Sequence, residues 1–132
     1  MKTQFLLDTH ALIFWVNKEN MSQALLQFLD EQNSFGLLMV SSISFWEIAL
    51  LVQKQKLELN NIFRWKTEII KNTQLQLISP SSDELIQSTQ LPAYHKDPFD
   101  RVLITQANWH KAKLVTKDSI ISKYDVETFW IS

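Results

Sequence analysis

Short apolar runs alternate along the chain with longer stretches in which apolar residues recur at helical spacing. A short apolar run indicates a buried strand, whereas the helical spacing indicates an amphipathic helix. Because helical stretches separate most consecutive strands, the pattern predicts an α/β fold in which helices cover both faces of a parallel sheet. The predicted strands are residues 5–7, 37–40, 75–78, 113–116 and 127–131, the last of them at a sheet edge.

Residues that commonly cap helices precede most of the helical stretches. A capping side chain accepts a hydrogen bond from a backbone N–H group in the first helical turn. Ser81 and Glu84 have the spacing of a capping box, and Pro98 suits the first position of a helix. The predicted N-caps are Thr9, Ser22, Ser44, Ser81 and Asp97.

The composition narrows the range of possible functions. The chain of 132 residues suits one domain, and its net charge of −1 means that any contact with nucleic acid needs a local basic patch. The absence of cysteine excludes disulfides, thiolate metal sites and cysteine nucleophiles. The single glycine excludes glycine-rich phosphate-binding loops. The first apolar run is too short for a signal peptide or a membrane span, so we expect a soluble, cytoplasmic protein.

Acidic residues follow the predicted strands or begin the helices after them. Asp8 ends the first strand, and Asp118 comes shortly after a late strand. Glu47 is predicted to lie in the first turn of the helix after the second strand, and Asp100 in the first turn of the late helix. Open α/β sheets bind ligands at the carboxyl ends of their strands, so we expect these acids to share one edge of the sheet.

Most of these acids also have a purely structural interpretation. Glu47 could complete a capping box with Ser44, and Asp100 could be a first-turn acid favoured by the helix dipole. Asp118 could cap the segment that follows it. Asp8 differs, because an acid that closes an apolar strand lies near the core and needs a partner.

A divalent cation would resolve the repulsion between clustered carboxylates. Each adjacent pair of ionised carboxylates costs about 4 kcal/mol at an effective dielectric constant of about 20. Oxygen ligands without histidine or cysteine favour Mg²⁺ or Mn²⁺ over Zn²⁺. An ion of this kind supplies an activated water and a charge beside the leaving oxygen, so the residues suit hydrolysis of a phosphodiester.

At these acids the chain resembles PIN-domain proteins of the VapC toxin type. The resemblance covers nearly the whole chain and implies a single PIN domain over residues 1–132, with a three-layer αβα fold around a central, mostly parallel sheet. It also implies a Mg²⁺-dependent endoribonuclease that acts on RNA as the toxin of a toxin–antitoxin pair. Such a toxin is held in check by a small antitoxin protein and is commonly paired as a homodimer. The matching stretches are Leu6–Leu12, Ser41–Ile48, His95–Arg101 and Leu114–Asp118.

Carried over by residue, the resemblance implies that Asp8 and Asp100 are the firmest metal ligands. Glu47 would bind the metal or orient water, and Asp118 would complete the catalytic set, often through water. Asp97 is a helix cap or an accessory ligand, and Thr116 is the hydroxyl residue that family members commonly have near the last acid.

Basic residues beside the acids have two interpretations. Lys96, Arg101 and Lys117 could hold phosphate oxygens of the substrate, or they could simply balance the charge of the acids. His95 could contact RNA or transfer a proton, or it could be a solvated loop residue. The helix that carries Trp65 and the second helix, around residues 25–29, are candidate surfaces for an antitoxin or a second copy.

Two other functions remain open at this point. The first is a non-catalytic metal-binding module that acts through a partner protein or in a repressor complex on DNA. The second is a receiver-like phosphotransfer or phosphatase domain, which Lys113 or Lys117 could serve. The phosphatase class expects an acid two residues after Asp8, and this chain has His10 there.

Overall fold

Residues 2–132, which the computed structural model describes, form five strands, six α-helices and one short 3₁₀ turn. The strands are β1 (Phe5–Leu7), β2 (Leu38–Ser41), β3 (Gln76–Ile78), β4 (Lys113–Val115) and β5 (Thr128–Phe129). The α-helices are α1 (Thr9–Asn17), α2 (Gln23–Ser34), α3 (Ser42–Gln53), α4 (Ile62–Asn72), α5 (Ser82–Ser88) and α6 (Pro98–Trp109), and the 3₁₀ turn is Ile121–Lys123.

All strand pairings in the sheet are parallel, with the order β3-β2-β1-β4-β5. β2 and β3 are added on one side of β1, and β4 and β5 are added on its other side. The strand order therefore reverses direction at a switch between β1 and β4. Ligands of open parallel sheets bind in the crevice at such a switch. β5 lies at the sheet edge as predicted, but it is shorter than predicted because its only neighbour, β4, ends at Val115.

The central strand sends alternate side chains into two separate cores. Phe5 and Leu7 pack with residues of α1 to α4, whereas Leu6 packs with Leu103 and Ile104 of α6. Helices cover both faces of β1, so all of its residues are buried, and this is why successive residues in the strand are apolar. The predicted three-layer αβα arrangement is therefore confirmed.

Two predicted helix starts are wrong, and three are right. Ser22, Ser81 and Asp97 are N-caps as predicted. The cap of α1 is Asp8, not Thr9, because the Asp8 carboxylate accepts the Ala11 N–H. The cap of α3 is Ser41, not Ser44, because β2 runs directly into the helix.

The early start of α3 changes the position of Glu47. With Ser42 as the first helical residue, Glu47 lies in the second turn and not in the first. Ser44 lies inside the helix, where its hydroxyl accepts a hydrogen bond from the Thr9 hydroxyl at 3.0 Å. The capping box predicted for Ser44 and Glu47 is therefore not formed.

The apolar face of α2 belongs to the core. Leu25 and Leu29 have no exposed surface, so only the other faces of α2 are accessible, and its use as a surface for an antitoxin or a second copy stays a prediction. Within residues 2–132, none of the helices combines the length and the apolar character that crossing a membrane requires.

Replacing Ser81 with alanine should destabilise the fold by about 1 kcal/mol, because α5 would lose its capping box. The Ser81 hydroxyl accepts the Glu84 N–H at 3.1 Å, and the Glu84 carboxylate accepts the Ser81 N–H at 3.0 Å. Chemical denaturation of the two proteins measures the difference. Ser82→Ala is the matched control, since Ser82 is exposed and already helical; an equal loss in both variants would contradict the capping argument.

Candidate metal centre

Asp8 lies at the end of the central strand and is only 7% exposed. Its N–H donates to the carbonyl of Val115 at 3.1 Å, which continues the pairing between β1 and β4. Its Oδ1 accepts the Ala11 N–H at 2.8 Å and so begins α1. The end of the strand and the start of the helix together fix this carboxylate at the switch in strand order.

The turn after β4 places Asp118 beside the switch point. Thr116 is buried, and its hydroxyl accepts the Asp118 N–H at 3.1 Å. Asp118 Oδ1 in turn accepts the Ile120 N–H at 2.8 Å. Thr116 also lies close enough to the Asp8 carboxylate to lower its pKa in part, against the larger effect of burial, so this residue lies near the acids at both strand ends.

The start of α6 contributes two more acids and a histidine. Asp97 caps the helix through a 2.9 Å hydrogen bond from the Phe99 N–H, and Asp100 lies in its first turn. The Nε2 atom of His95 lies 2.9 Å from Asp100 Oδ2 and 3.1 Å from Asp118 Oδ2. One ligand atom from each of these three side chains lies within 4.8 Å of the other two.

Glu47 reaches the same region from α3 and is half-buried. Its Oε1 atom is buried, and no hydrogen-bond partner for it exists among the described residues. Burial raises the pKa of Glu47 and the nearby Thr9, the first residue of α1, lowers it in part, so the Glu47 carboxylate lies close to the start of α1. A buried oxygen without a donor is costly, so Glu47 needs a further partner.

An open cleft of about 540 Å³ lies over these residues. Histidine, lysine and aromatic side chains form its other walls, so the acids face a partly apolar crevice. Glu47 is not part of the cleft lining. The lining residues are Asp8, His10, Ala11, Phe14, His95, Asp97, Asp100, Lys117, Asp118, Ser119 and Trp130.

Burial and mutual repulsion shift the acids toward their protonated forms. Burial raises the pKa of Asp8, although hydrogen bonding by Thr116 lowers it in part. Burial also raises the pKa of Glu47. For Asp100, burial first and then the charges of its neighbours raise the pKa to about 8. Those neighbours are Asp97, Asp8, Glu47 and Asp118, in order of decreasing effect.

These properties fit a hard divalent cation. The carboxylates would ionise together only if a positive charge entered between them, because each one disfavours the charge of the others. The donors are oxygens, and Glu47 supplies one that the protein leaves without a partner. Carboxylate oxygens are the ligands that Mg²⁺ and Mn²⁺ take in proteins.

The structure brings most of the predicted site residues together. Asp8, Asp97, Asp100 and Asp118 line one cleft. Glu47, although outside that lining, is close enough for its charge to raise the pKa of Asp100.

The three basic residues that the sequence placed beside the acids differ in their position relative to the cleft. Lys117 lines the cleft, with its ammonium 5.8 Å from the centre of the Phe14 ring. Lys96 is exposed and does not line the cleft. Arg101 has a role that the sequence did not predict: its guanidinium donates to backbone carbonyls and is engaged by the preceding loop, not held toward a phosphate. Those carbonyls belong to Thr89, Leu91, Pro92 and His95.

His95 is the residue whose place in the site the sequence left undecided. The only signal was its position five residues before Asp100 in a motif shared with the resembling family. Its second partner, Asp118, lies 23 residues away, and no periodicity in the sequence relates the two. The tertiary structure alone places the imidazole between both carboxylates.

The fold and the site together define an α/β protein with an acidic cleft, suited to a metal ion, at the switch point of a parallel sheet. The PIN domain family matches residues 5–127, and the chain belongs to this family. Proteins of this family that are nucleases generally use divalent metals.

Two kinds of relatives are similar to the chain. Ribonuclease VapC22 of Mycobacterium tuberculosis is 29% identical over 119 residues, which is 88% of each chain. The fold is similar to that of DNA-bound VapBC from Salmonella typhimurium (TM-score 0.68, 16% identity, 96% of each chain). It is also similar to VapBC2 from Rickettsia felis bound to a promoter DNA fragment (TM-score 0.69, 18% identity, 98% of this chain and 100% of that one).

Without metal, the stability of the fold should fall as the pH rises. Folding raises the pKa of Asp100 from 3.8 to about 8, so the folded state binds more protons than the unfolded chain across that window. The free energy of unfolding therefore decreases as the pH rises from about 4 to about 8, and levels off above it. Asp8 and Glu47 shift in the same direction.

Asp100→Asn should make the free energy of unfolding less dependent on pH. In EDTA at a pH of about 8 it should raise this free energy on the order of a few kcal/mol, and the melting temperature with it. Thermal unfolding followed by circular dichroism at several pH values measures it. Adding Mn²⁺ at the same pH should also raise the melting temperature of the unmodified protein. An unchanged pH dependence in the variant would contradict the interpretation that burial and neighbouring charges raise the pKa of Asp100.

Proposed function

We propose that this protein is a metal-dependent endoribonuclease that acts as the toxin of a toxin–antitoxin pair. The observation that carries the proposal is the convergence of Asp8, Asp100 and Asp118 in one cleft at the switch point of a PIN-domain sheet. The relative that is 29% identical is named as a ribonuclease, which supports the same activity for this chain.

Mg²⁺ is the ion that we propose for the site, with Mn²⁺ as a substitute. Asp8 and Asp100 would hold it most directly, while Glu47 and Asp118 would bind it or orient water around it. When bound, such an ion supplies an acidified water for attack on a phosphodiester and offsets the charge of the leaving oxygen.

Residues of the chain fix the acids in place and supply a positive charge for RNA in the cleft. The hydrogen bonds to Asp8 and Asp118 hold these carboxylates in fixed directions, so little reorganisation is needed when a cation and a phosphate arrive. Lys117, on the cleft wall, carries the positive charge that would attract a backbone phosphate. The open form of the cleft suits a single strand or loop of RNA, whose backbone is accessible.

Asp8→Asn and Asp100→Asn should each lower the rate of RNA cleavage by about a hundredfold or more, because the charge that a metal ion supplies is worth several kcal/mol of the barrier. Cleavage of total RNA with Mg²⁺, with Mn²⁺ and with EDTA measures this. Asp125→Asn is the matched control, since Asp125 is an exposed acid outside the cleft. Full activity of either site variant, or of the unmodified protein in excess EDTA, would refute the proposed chemistry.

A small antitoxin protein is the partner that we propose. VapBC complexes from Salmonella typhimurium and Rickettsia felis share the fold, which supports this choice. The helix carrying Trp65, a candidate surface from the sequence, borders a second cleft of about 400 Å³ between α1, α2 and α4. Val16 and Trp65 line this cleft and are only partly buried, so they give it the apolar surface that an amphipathic segment would cover.

Expression of the protein in a bacterial cytoplasm, where we propose that it acts, should stop growth, because cleavage of cellular RNA blocks protein synthesis. The Asp8→Asn variant, expressed to the same level, should leave growth unchanged, and co-expression of the proposed antitoxin with the unmodified protein should restore growth. Growth curves with immunoblots measure both effects. Equal toxicity of the Asp8→Asn variant would favour the alternative in which the protein acts through a partner without catalysis.

A further inference from the structure

His95 is held between two acids in a manner that its sequence position does not explain. A single ring nitrogen, Nε2, lies within hydrogen-bond distance of Oδ2 of both Asp100 and Asp118. These two carboxylates come from different parts of the chain, the start of α6 and the turn after β4. The imidazole is therefore a bridge across the cleft, where like charges would otherwise repel each other.

The contact of the other ring nitrogen, Nδ1, shows which nitrogen of His95 carries the proton. His95 Nδ1 faces the N–H of Asp97 at 3.3 Å, so Nδ1 accepts a hydrogen bond and Nε2 carries the proton of the neutral ring. A nitrogen that carries a proton donates to carboxylates and does not bind a cation. Histidines that ligate metals show the opposite arrangement, because their distal nitrogen donates to an acceptor.

The loop that carries His95 is fixed by its main chain. The Tyr124 hydroxyl accepts the His95 N–H at 2.7 Å and donates to the Pro92 carbonyl at 2.7 Å. The Arg101 guanidinium donates to the carbonyls of both residues. The ring thus projects from an anchored backbone, and removing the side chain leaves those anchors in place.

We propose that His95 is a positioning residue of the metal centre: its Nε2–H, shared between Asp100 and Asp118, holds one oxygen of each carboxylate and presents both groups to the cation. The inference rests on the metal site proposed above. It assigns His95 neither contact with RNA nor direct ligation. Residues that orient metal ligands in this way typically contribute about 10–100-fold to metal affinity.

Calorimetric titration of the metal-free protein with Mn²⁺, without RNA, tests this inference separately from the nuclease activity. His95→Ala should weaken Mn²⁺ binding by about 10–100-fold. His95→Gln should keep the affinity within a few-fold of the unmodified protein, because its amide N–H reaches the position of Nε2. His95→Asn, whose shorter amide does not reach both carboxylates, should resemble His95→Ala and serves if the alanine variant fails to fold. His110→Ala is the matched control, since His110 is an exposed histidine at the end of α6.

The outcomes separate the possible roles of His95. Unchanged Mn²⁺ affinity in His95→Ala would overturn the proposal. A loss in His95→Gln as large as in His95→Ala would also overturn it, in favour of direct ligation by the imidazole. If the unmodified protein binds Mn²⁺ tightly but cleaves no RNA, the proposed nuclease fails while the role of His95 stands or falls on the affinities alone.

Discussion

The structure depends on one carboxylate, that of Asp8, buried at the end of the central strand between two other strands of the sheet. An isolated charge in an apolar interior is very costly, so a buried acid must be hydrogen-bonded, paired or protonated. Asp8 accepts a hydrogen bond from the Ala11 N–H at the start of α1, and Thr116 at the neighbouring strand end lies close enough to offset part of the pKa rise that burial causes. Asp100 and Glu47 lie near Asp8, so all three carboxylates ionise more readily when a cation lies between them.

Helix capping and the proposed metal binding involve the same acids in this fold. Asp8 caps α1, Asp97 caps α6 and Asp100 lies in the first turn of α6. The N-terminus of a helix carries partial positive charge, so it orients a carboxylate and partly offsets the cost of its ionisation. The structural and functional interpretations of such residues are therefore compatible. A capped carboxylate still has an oxygen to offer to a cation, and the cap fixes its direction.

The loop before α6 shows how a site depends on residues that do not face it. Its carbonyls have no strand or helix partner, and backbone acceptors of this kind need donors. Arg101 supplies them through its guanidinium, and Tyr124 adds a further contact. A basic residue adjacent to a site acid in the sequence thus stabilises the backbone that presents His95. From its charge alone, the sequence allowed only contact with phosphate or charge balance for Arg101, because the local acceptors were not visible.

The sequence by itself determined the α/β class, the order of most strands and helices, and the placement of acids at strand ends. These features follow from local periodicity and from the requirement that buried parallel strands be apolar. Tertiary structure decided the rest. It selected Asp8 and Ser41 as caps over Thr9 and Ser44, because the strands run directly into their helices and several residues nearby can each cap. It also decided the bridge at His95, because a hydrogen bond between segments far apart in sequence exists only once the fold has brought those segments together.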